Sequence, residues 1–509
     1  MNLPLAASFA RSIIALSAAV GLAASLAADP SSLEDSLAEG FKNPPEAARP
    51  RTWWHWTMSN VSRPGITQDL EWMERVGIGG FMLADVNVGR GQDVEPKTPF
   101  GTPEWYEVVR HAAAEADRLG LEMSIFSSPG WSETGGPWVK PEQAMKKFVW
   151  SETSVTGPQR FSGRLPQPPN NIGQIRNTGA GYYTNDSSDP PFYADSAVIA
   201  YRTPPLEAGA PPAMPTVTSS HGPVDGTPLL DDQLNTLLTI PAPPDGSPAW
   251  VQYEYNEPFP ARAITLGGQG GSARGIPVGR VLASDDGKTF RTLVTLPGAQ
   301  LYRQGMVRTY AFTPTSAKFY RIELTGAPIG PAATMSQAPA APAPQYVLSE
   351  AVLHRGARGQ RWEEKAGFSF LFEYESVPTP ETPAEATVPV NEVIDLTTKM
   401  KPDGTLEWDA PAGTSTILRL GYSLTGAKNR PATPAGSGYE ADKLSREHME
   451  AYYHGYFDPI AEKLGPLFGK SLRYVMMDSW EAGTNNWTDA IVSEFRIRRG
   501  YDPTPYLPA

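Results

Sequence analysis

Asp478-Ser479-Trp480-Glu481 places two carboxylates and an indole directly after Leu472-Arg473-Tyr474-Val475-Met476-Met477, a short apolar run. Such a run reads as a buried strand. Carboxylates are seldom buried without a partner or a task, and a carboxylate beside an aromatic ring suits proton transfer next to a sugar. A second reading stands beside the first: Asp478 caps the following turn and Glu481 is a solvated loop residue. The local sequence leaves both open. The same residue types recur upstream. His55 and Trp56 close the aromatic run 52–56, Asp85 follows the run 78–84, and Trp131 and Glu133 follow the run 121–126. His55 reads either as a ligand contact or as a satisfied core histidine. At least one of Trp53, Trp54 and Trp56 belongs to the core, because alternate strand residues face opposite sides.

These positions form one site only if a scaffold aligns the strand ends. Strands at 52–56, 78–84 and 121–126 alternate with helices. The first helix covers 66–76, with Ile66, Leu70, Met73 and Val76 at helical spacing; the second covers 103–119, with Thr102 as N-cap and Gly120 as stop. That alternation predicts parallel β/α units. The rhythm breaks from 151 to 414, a stretch rich in Pro, Gly, Ser and Thr. Short runs at 250–255, 263–266, 280–284, 318–324 and 346–354 and the hairpin signal Asp285-Asp286-Gly287-Lys288 predict a β-sandwich with an Ala/Pro-rich loop at 327–345. Strand 415–420, helix 445–464 ended by Gly465-Pro466, strand 472–477 and helix 488–499, capped by Thr488 and stopped by Gly500, resume the β/α pattern.

The expected fold is therefore α/β: a (β/α)8-type barrel interrupted by an inserted β-sandwich. Five barrel strands are counted where closure needs eight, so the barrel is expected to be incomplete over these 509 residues. The expected divisions are 1–28, 41–150, 151–414 and 415–509. In such a barrel the C-terminal strand ends share one face, which gathers His55, Trp56, Asp85, Trp131, Glu133, Asp478, Trp480 and Glu481. An acidic, aromatic cleft suits neutral sugars, because indoles pack on the apolar faces of pyranose rings.

Composition narrows the partners. Net charge is −12 with no basic stripe, which argues against nucleic acid and anionic membrane surfaces. The chain has no cysteine, so disulfides, thiolate metal sites and cysteine nucleophiles are excluded. Six histidines are dispersed, with no His-x-x-x-His pair to bind zinc on a helix. Calcium leaves no compact signature, and no metal ligands are assigned. Gly130-Trp131-Ser132-Glu133-Thr134 lacks the second glycine of a nucleophile elbow. Gly268-Gln269-Gly270-Gly271-Ser272-Ala273 is followed by no amphipathic helix and reads as a loop. Arg11 and the apolar run 12–26, ending in small residues with a cleavage point after Ala27 or Ala28, predict a secretory signal and a secreted or periplasmic location. No later segment is apolar enough to span a bilayer.

Longer motifs carry a family resemblance. Pro44-Pro45-Glu46-Ala47-Ala48-Arg49-Pro50, Trp53-Trp54-His55-Trp56, Gly77-Ile78-Gly79-Gly80, Gly130-Trp131 with Gly135-Gly136-Pro137-Trp138, Asp478-Ser479-Trp480-Glu481 and Arg499-Gly500-Tyr501-Asp502-Pro503 together resemble glycoside hydrolase family 106, the α-L-rhamnosidases. The middle region resembles a galactose-binding-like sandwich. The resemblance implies an inverting glycosidase that removes terminal α-L-rhamnose from glycans or glycosides, with calcium at the active site a further implication. It implies that Glu481 is the general acid. The family's partner carboxylate lies further along the chain than the 28 residues that follow Glu481 here. The alternative expectation is a non-catalytic carbohydrate-binding protein, or an inactive fragment lacking that second carboxylate.

Overall fold

The computed structural model describes residues 30–89, 94–170, 191–209, 213–234, 236–268, 276–297, 307–326, 345–369, 378–480 and 482–508. The expected signal segment, the glycine-rich loop beyond Gly268, nearly all of the Ala/Pro-rich loop and Glu481 lie outside the described residues.

In chain order, α1 (Pro30–Lys42), β1 (Arg51–Thr57), α2 (Arg63–Arg75), β2 (Gly80–Val86), α3 (Pro103–Leu119) and β3 (Glu122–Phe126) come first. There follow β4 (Lys146–Arg164), β5 (Tyr193–Arg202), β6 (Thr216–Ser219), β7 (Gly222–Pro223), β8 (Leu238–Pro241), β9 (Ala249–Gly268), β10 (Val278–Ser284), β11 (Arg291–Pro297), β12 (Val307–Gly326) and β13 (Gln345–His354). The last elements are α4 (Trp362–Lys365), β14 (Ile394–Asp395), β15 (Thr405–Leu424), α5 (Arg446–Leu464), β16 (Leu472–Met476) and α6 (Ile491–Arg499). The chain divides into two compact units, residues 1–126 with 460–476, and residues 127–459 with 477–509.

The first unit carries a parallel sheet of order β1-β2-β3-β16. Gly80 opens β2 because any Cβ there would stand 2.4 Å from the Glu122 carbonyl oxygen of β3. The second crossover helix begins as the sequence predicts, and the first begins at Arg63, three residues before the expected 66. Ser62 caps α2 by accepting from Gly65 N at 3.3 Å, and Thr102 caps α3 by accepting from Trp105 N at 3.2 Å. Gly120 ends α3 at φ 69°, a left-handed conformation that costs a residue without Cβ little. Ile66, Leu70 and Met73 are the buried stripe of α2. The four described strands form an open parallel sheet.

The second unit contains two antiparallel sheets. The larger has the path β11-β10-β12-β9-β13-β8, with β6 and β7 set off β9. Its core is aromatic and aliphatic, with Tyr253 and Tyr320 fully buried and their hydroxyls donating to the carbonyls of Ala351 at 2.8 Å and Phe259 at 2.6 Å. The expected hairpin joins β10 to β11, where Asp286 Oδ1 accepts from Lys288 N and Thr289 N, each at 2.8 Å.

The smaller sheet, β14-β5-β15-β4, corrects one expectation. Residues 415–420 are not a parallel barrel strand. They lie inside β15, which pairs antiparallel with β4 along its length and with β5. Pro411 and Gly413 suggest a strand boundary, yet they sit at a bulge, where the register shifts between Ala410 and Gly413. Opposite them Gly157 leaves room for Pro411, whose carbonyl oxygen would lie 2.1 Å from an added Cβ. The expected limits at 150/151 and 414/415 thus run through paired strands. Thr488 is a second correction: it does not cap α6, whose N-cap is Ala490 without a side-chain bond. Among the described residues no helix is long and apolar enough to cross a membrane.

Candidate functional site

In the first unit, β1 and β2 run in register with Trp56 opposite Asp85 and His55 opposite Ala84. Strand alternation then sorts the aromatic run. Trp54 and Trp56 point into the core, and Trp56 is only 2% exposed, its ring 5.4 Å edge-on from Trp54. Trp53 and His55 leave on the other face, their rings 5.4 Å apart, and Trp53 also meets Phe126 at 5.6 Å. His55 is half-buried, and that burial holds its pKa below the ordinary histidine value. Asp85 is buried, and its Oδ2 accepts from the Trp105 indole N–H at 3.0 Å. Of the residues expected as sugar contacts, Trp56 thus lies in the core and Asp85 holds an indole on α3. The reason is general, since a strand end offers two faces and only one of them leads outward.

In the second unit, a parallel bridge pairs Ser132 with Ser479. It lays Trp131-Ser132-Glu133 alongside Asp478-Ser479-Trp480, and so brings together four of the expected residues. The first of these segments is anchored by backbone chemistry. Trp131 N and Ser132 N both donate to the Arg430 carbonyl, at 2.8 and 3.2 Å, and Arg430 N donates to Ser132 Oγ at 3.0 Å. Asn429, buried, donates to the carbonyls of Pro129 at 2.9 Å and Gly436 at 3.0 Å and accepts from Gly438 N at 2.8 Å. Gly130 is required at this crossing: its φ is 86°, and a Cβ would stand 2.5 Å from the Arg430 carbonyl. Glu133 is half-buried, with Oε2 shielded from solvent and lacking a hydrogen-bond partner. Trp480 is 43% exposed, and its indole N–H donates to the Gly483 carbonyl at 2.5 Å.

The sequence reading missed the residues beneath these segments. Glu440, Ala441 and Asp442 are buried and the Lys443 side chain is 7% exposed, although three of these four side chains carry charge. Glu440 Oε2 accepts from Thr134 Oγ1 at 2.6 Å and from Lys443 Nζ at 2.8 Å. Lys443 Nζ lies 5.0 Å from the centre of the Trp480 ring. Asp442 accepts from Asn485 Nδ2 at 2.9 Å, Thr488 Oγ1 at 2.7 Å and the fully buried Lys146 Nζ at 3.3 Å. No periodicity announces this cluster, because it lies in a Gly/Pro-rich connection between β15 and α5. The only available signal is a run of charge beside Tyr439 with no helical or strand spacing.

The arrangement offers half-buried carboxylates next to indoles, which can accept hydroxyl hydrogen bonds while stacking a sugar ring. His55, Trp56 and Asp85 belong to the first unit, and Trp131, Glu133, Asp478 and Trp480 to the second. Among the described residues no group of three or more His, Asp or Glu side chains is arranged to hold a metal ion. The calcium that the resemblance implies has no such ligand group among the described residues.

A family model described as alpha-L-rhamnosidase, glycoside hydrolase 106, matches residues 42–509. The solved structure of a rhamnosidase from Novosphingobium sp. PP1Y is similar with a TM-score of 0.75 and 35% sequence identity, covering 92% of this chain and 42% of that one. A curated relative from Formosa agariphila, named "Putative beta-glucuronidase", is 27% identical over 474 residues, which are 93% of this chain and 26% of the relative. The chain thus spans less than half the length of either.

Proposed function

Because the chain belongs to glycoside hydrolase family 106, the alpha-L-rhamnosidase family, we propose that the protein is a glycosidase that releases terminal α-L-rhamnose from glycans or glycosides with inversion. The observation that carries this reading is the Ser132–Ser479 bridge, which sets Trp131 and Glu133 beside Asp478 and Trp480. In this reading the four-stranded parallel sheet is part of a (β/α)8-type barrel, and the leader-like run 12–26 directs the protein out of the cytoplasm.

Glu481 follows Trp480 in sequence and is assigned the general acid. Inversion requires a second carboxyl group about 6.5–9.5 Å away to activate water on the opposite face of the sugar. Indoles at 131 and 480 stack on the ring, and Asp478 accepts from its hydroxyls. Glu481→Gln keeps the shape and removes the proton; turnover of an aryl α-L-rhamnoside with an unactivated leaving group should drop by about 10²–10⁴. Unchanged turnover in that variant removes Glu481 from the chemistry.

A second reading comes from the relative named as a glucuronidase, which favours a uronic acid substrate. Parallel assays with aryl α-L-rhamnoside and aryl β-D-glucuronide separate the two. Calorimetry with free rhamnose adds a third outcome, since binding without turnover of either substrate assigns the chain as a carbohydrate-binding protein.

A further inference from the structure

We propose that Lys443 is a positioning residue for Trp480: its ammonium, seated between the buried Glu440 carboxylate and one face of the Trp480 ring, holds that indole at the angle a sugar needs for stacking. The inference rests on the proposed glycosidase reading for its substrate, but its geometry stands without it.

Lys443 is almost fully buried and Glu440 completely so. Taking both charges out of water is costly, and an apolar pair of similar volume would often be as stable or more stable. Stability alone therefore gives a poor reason for this pair. The geometry gives a better one. The ammonium donates to Glu440 Oε2 at 2.8 Å and to the Ala441 carbonyl at 3.4 Å. Glu440 is itself fixed by Thr134, two residues beyond the Ser132–Ser479 bridge. The charge is thus tied to the same segment that the bridge sets beside Trp480. Five ångströms from the ammonium lies the Trp480 ring centre, within cation–π range. The indole N–H is committed to Gly483. One contact fixes the plane of the ring and the other its rotation, while 43% of the residue stays open to solvent.

A neighbouring contact supports the reading. Asp442 fastens Asn485 and Thr488, on the far side of Trp480 in sequence. Glu440-Ala441-Asp442-Lys443 therefore grips the chain both at Trp480 and beyond it. A preorganised ring binds a ligand without the cost of ordering it on arrival. Loss of Lys443 should accordingly appear in substrate affinity more than in the chemical step.

The test uses Lys443→Met, Lys443→Arg, Trp480→Ala and the double variant Glu440→Gln/Lys443→Met, which avoids stranding a buried carboxylate. On an aryl α-L-rhamnoside, Lys443→Met and the Glu440→Gln/Lys443→Met pair should raise KM about tenfold with a much smaller change in kcat. Lys443→Arg should restore most of the affinity. Combining Lys443→Met with Trp480→Ala should add little to Trp480→Ala alone. A KM unchanged in both Lys443 variants, or effects of Lys443→Met and Trp480→Ala that simply multiply, would overturn the inference. Hydrogen exchange supplies a readout independent of turnover. Amides at 478–484 should exchange about tenfold faster in the double variant with melting nearly unchanged. Exchange that stays the same there, or rises throughout the chain, also overturns it. If the wild type cleaves no rhamnoside, the glycosidase reading fails and exchange alone decides the role of Lys443.

Discussion

Asp85 shows how one residue type can be read two ways. At the end of an apolar strand its carboxylate resembles a substrate ligand, yet it lies buried and takes the Trp105 N–H at 3.0 Å. Removing it should leave a buried donor without its acceptor, at a cost of about 1–3 kcal/mol. Asp85→Ala should therefore lower the melting temperature while leaving KM for a rhamnoside unchanged; a KM effect without loss of stability would return Asp85 to the binding site. Trp56 carries the same lesson, since its ring fills the core beside Trp54. Local sequence marked both as strand-end residues, and only the structure showed how deeply each is buried.

At the scale of elements, legibility follows the range of the interactions. Helix α3 was readable end to end because its cap, apolar stripe and αL stop all lie within it. β15 was not, because its main partner β4 is some 260 residues earlier, with Ser415 opposite Val155. The large antiparallel sheet also holds a titratable group with a clear consequence. Glu350 on β13 is buried, and that burial, with Asp232 and Asp231 nearby, pushes its pKa up to about 8. A carboxyl raised in the fold binds its proton more tightly there than in the unfolded chain. Its contribution is fully present below the unfolded value near 4.5 and is lost as pH rises through about 8. The melting temperature should fall between pH 5 and pH 9, and Glu350→Gln should flatten that slope. An identical slope in the variant would assign the pH dependence to another group.

At the scale of the whole molecule, the parallel sheet has an open side. Among the described residues β16 pairs only with β3, and Tyr474 and Val475 on it are exposed. Parallel strands are normally covered on both faces, and an uncovered apolar edge recruits other strands. These 509 residues should self-associate as their concentration rises, and Val475→Lys should weaken that association in sedimentation or light scattering. Association of equal strength in the variant would place the contact elsewhere. The chain spans 42% of the solved rhamnosidase it resembles.

The sequence by itself determined the parallel β/α start, the cap of α3, the β-rich middle and the family, because these rest on short-range periodicity and contiguous motifs. It also marked 131–133 and 478–480 as candidate segments. Only the tertiary structure decided that Ser132 and Ser479 pair, that Trp56 and Asp85 turn inward, and that 415–420 joins an antiparallel sheet. It alone revealed the buried charges at 440–443 beneath Trp480. Each of these depends on residues tens to hundreds of positions apart, whose contact no local pattern encodes.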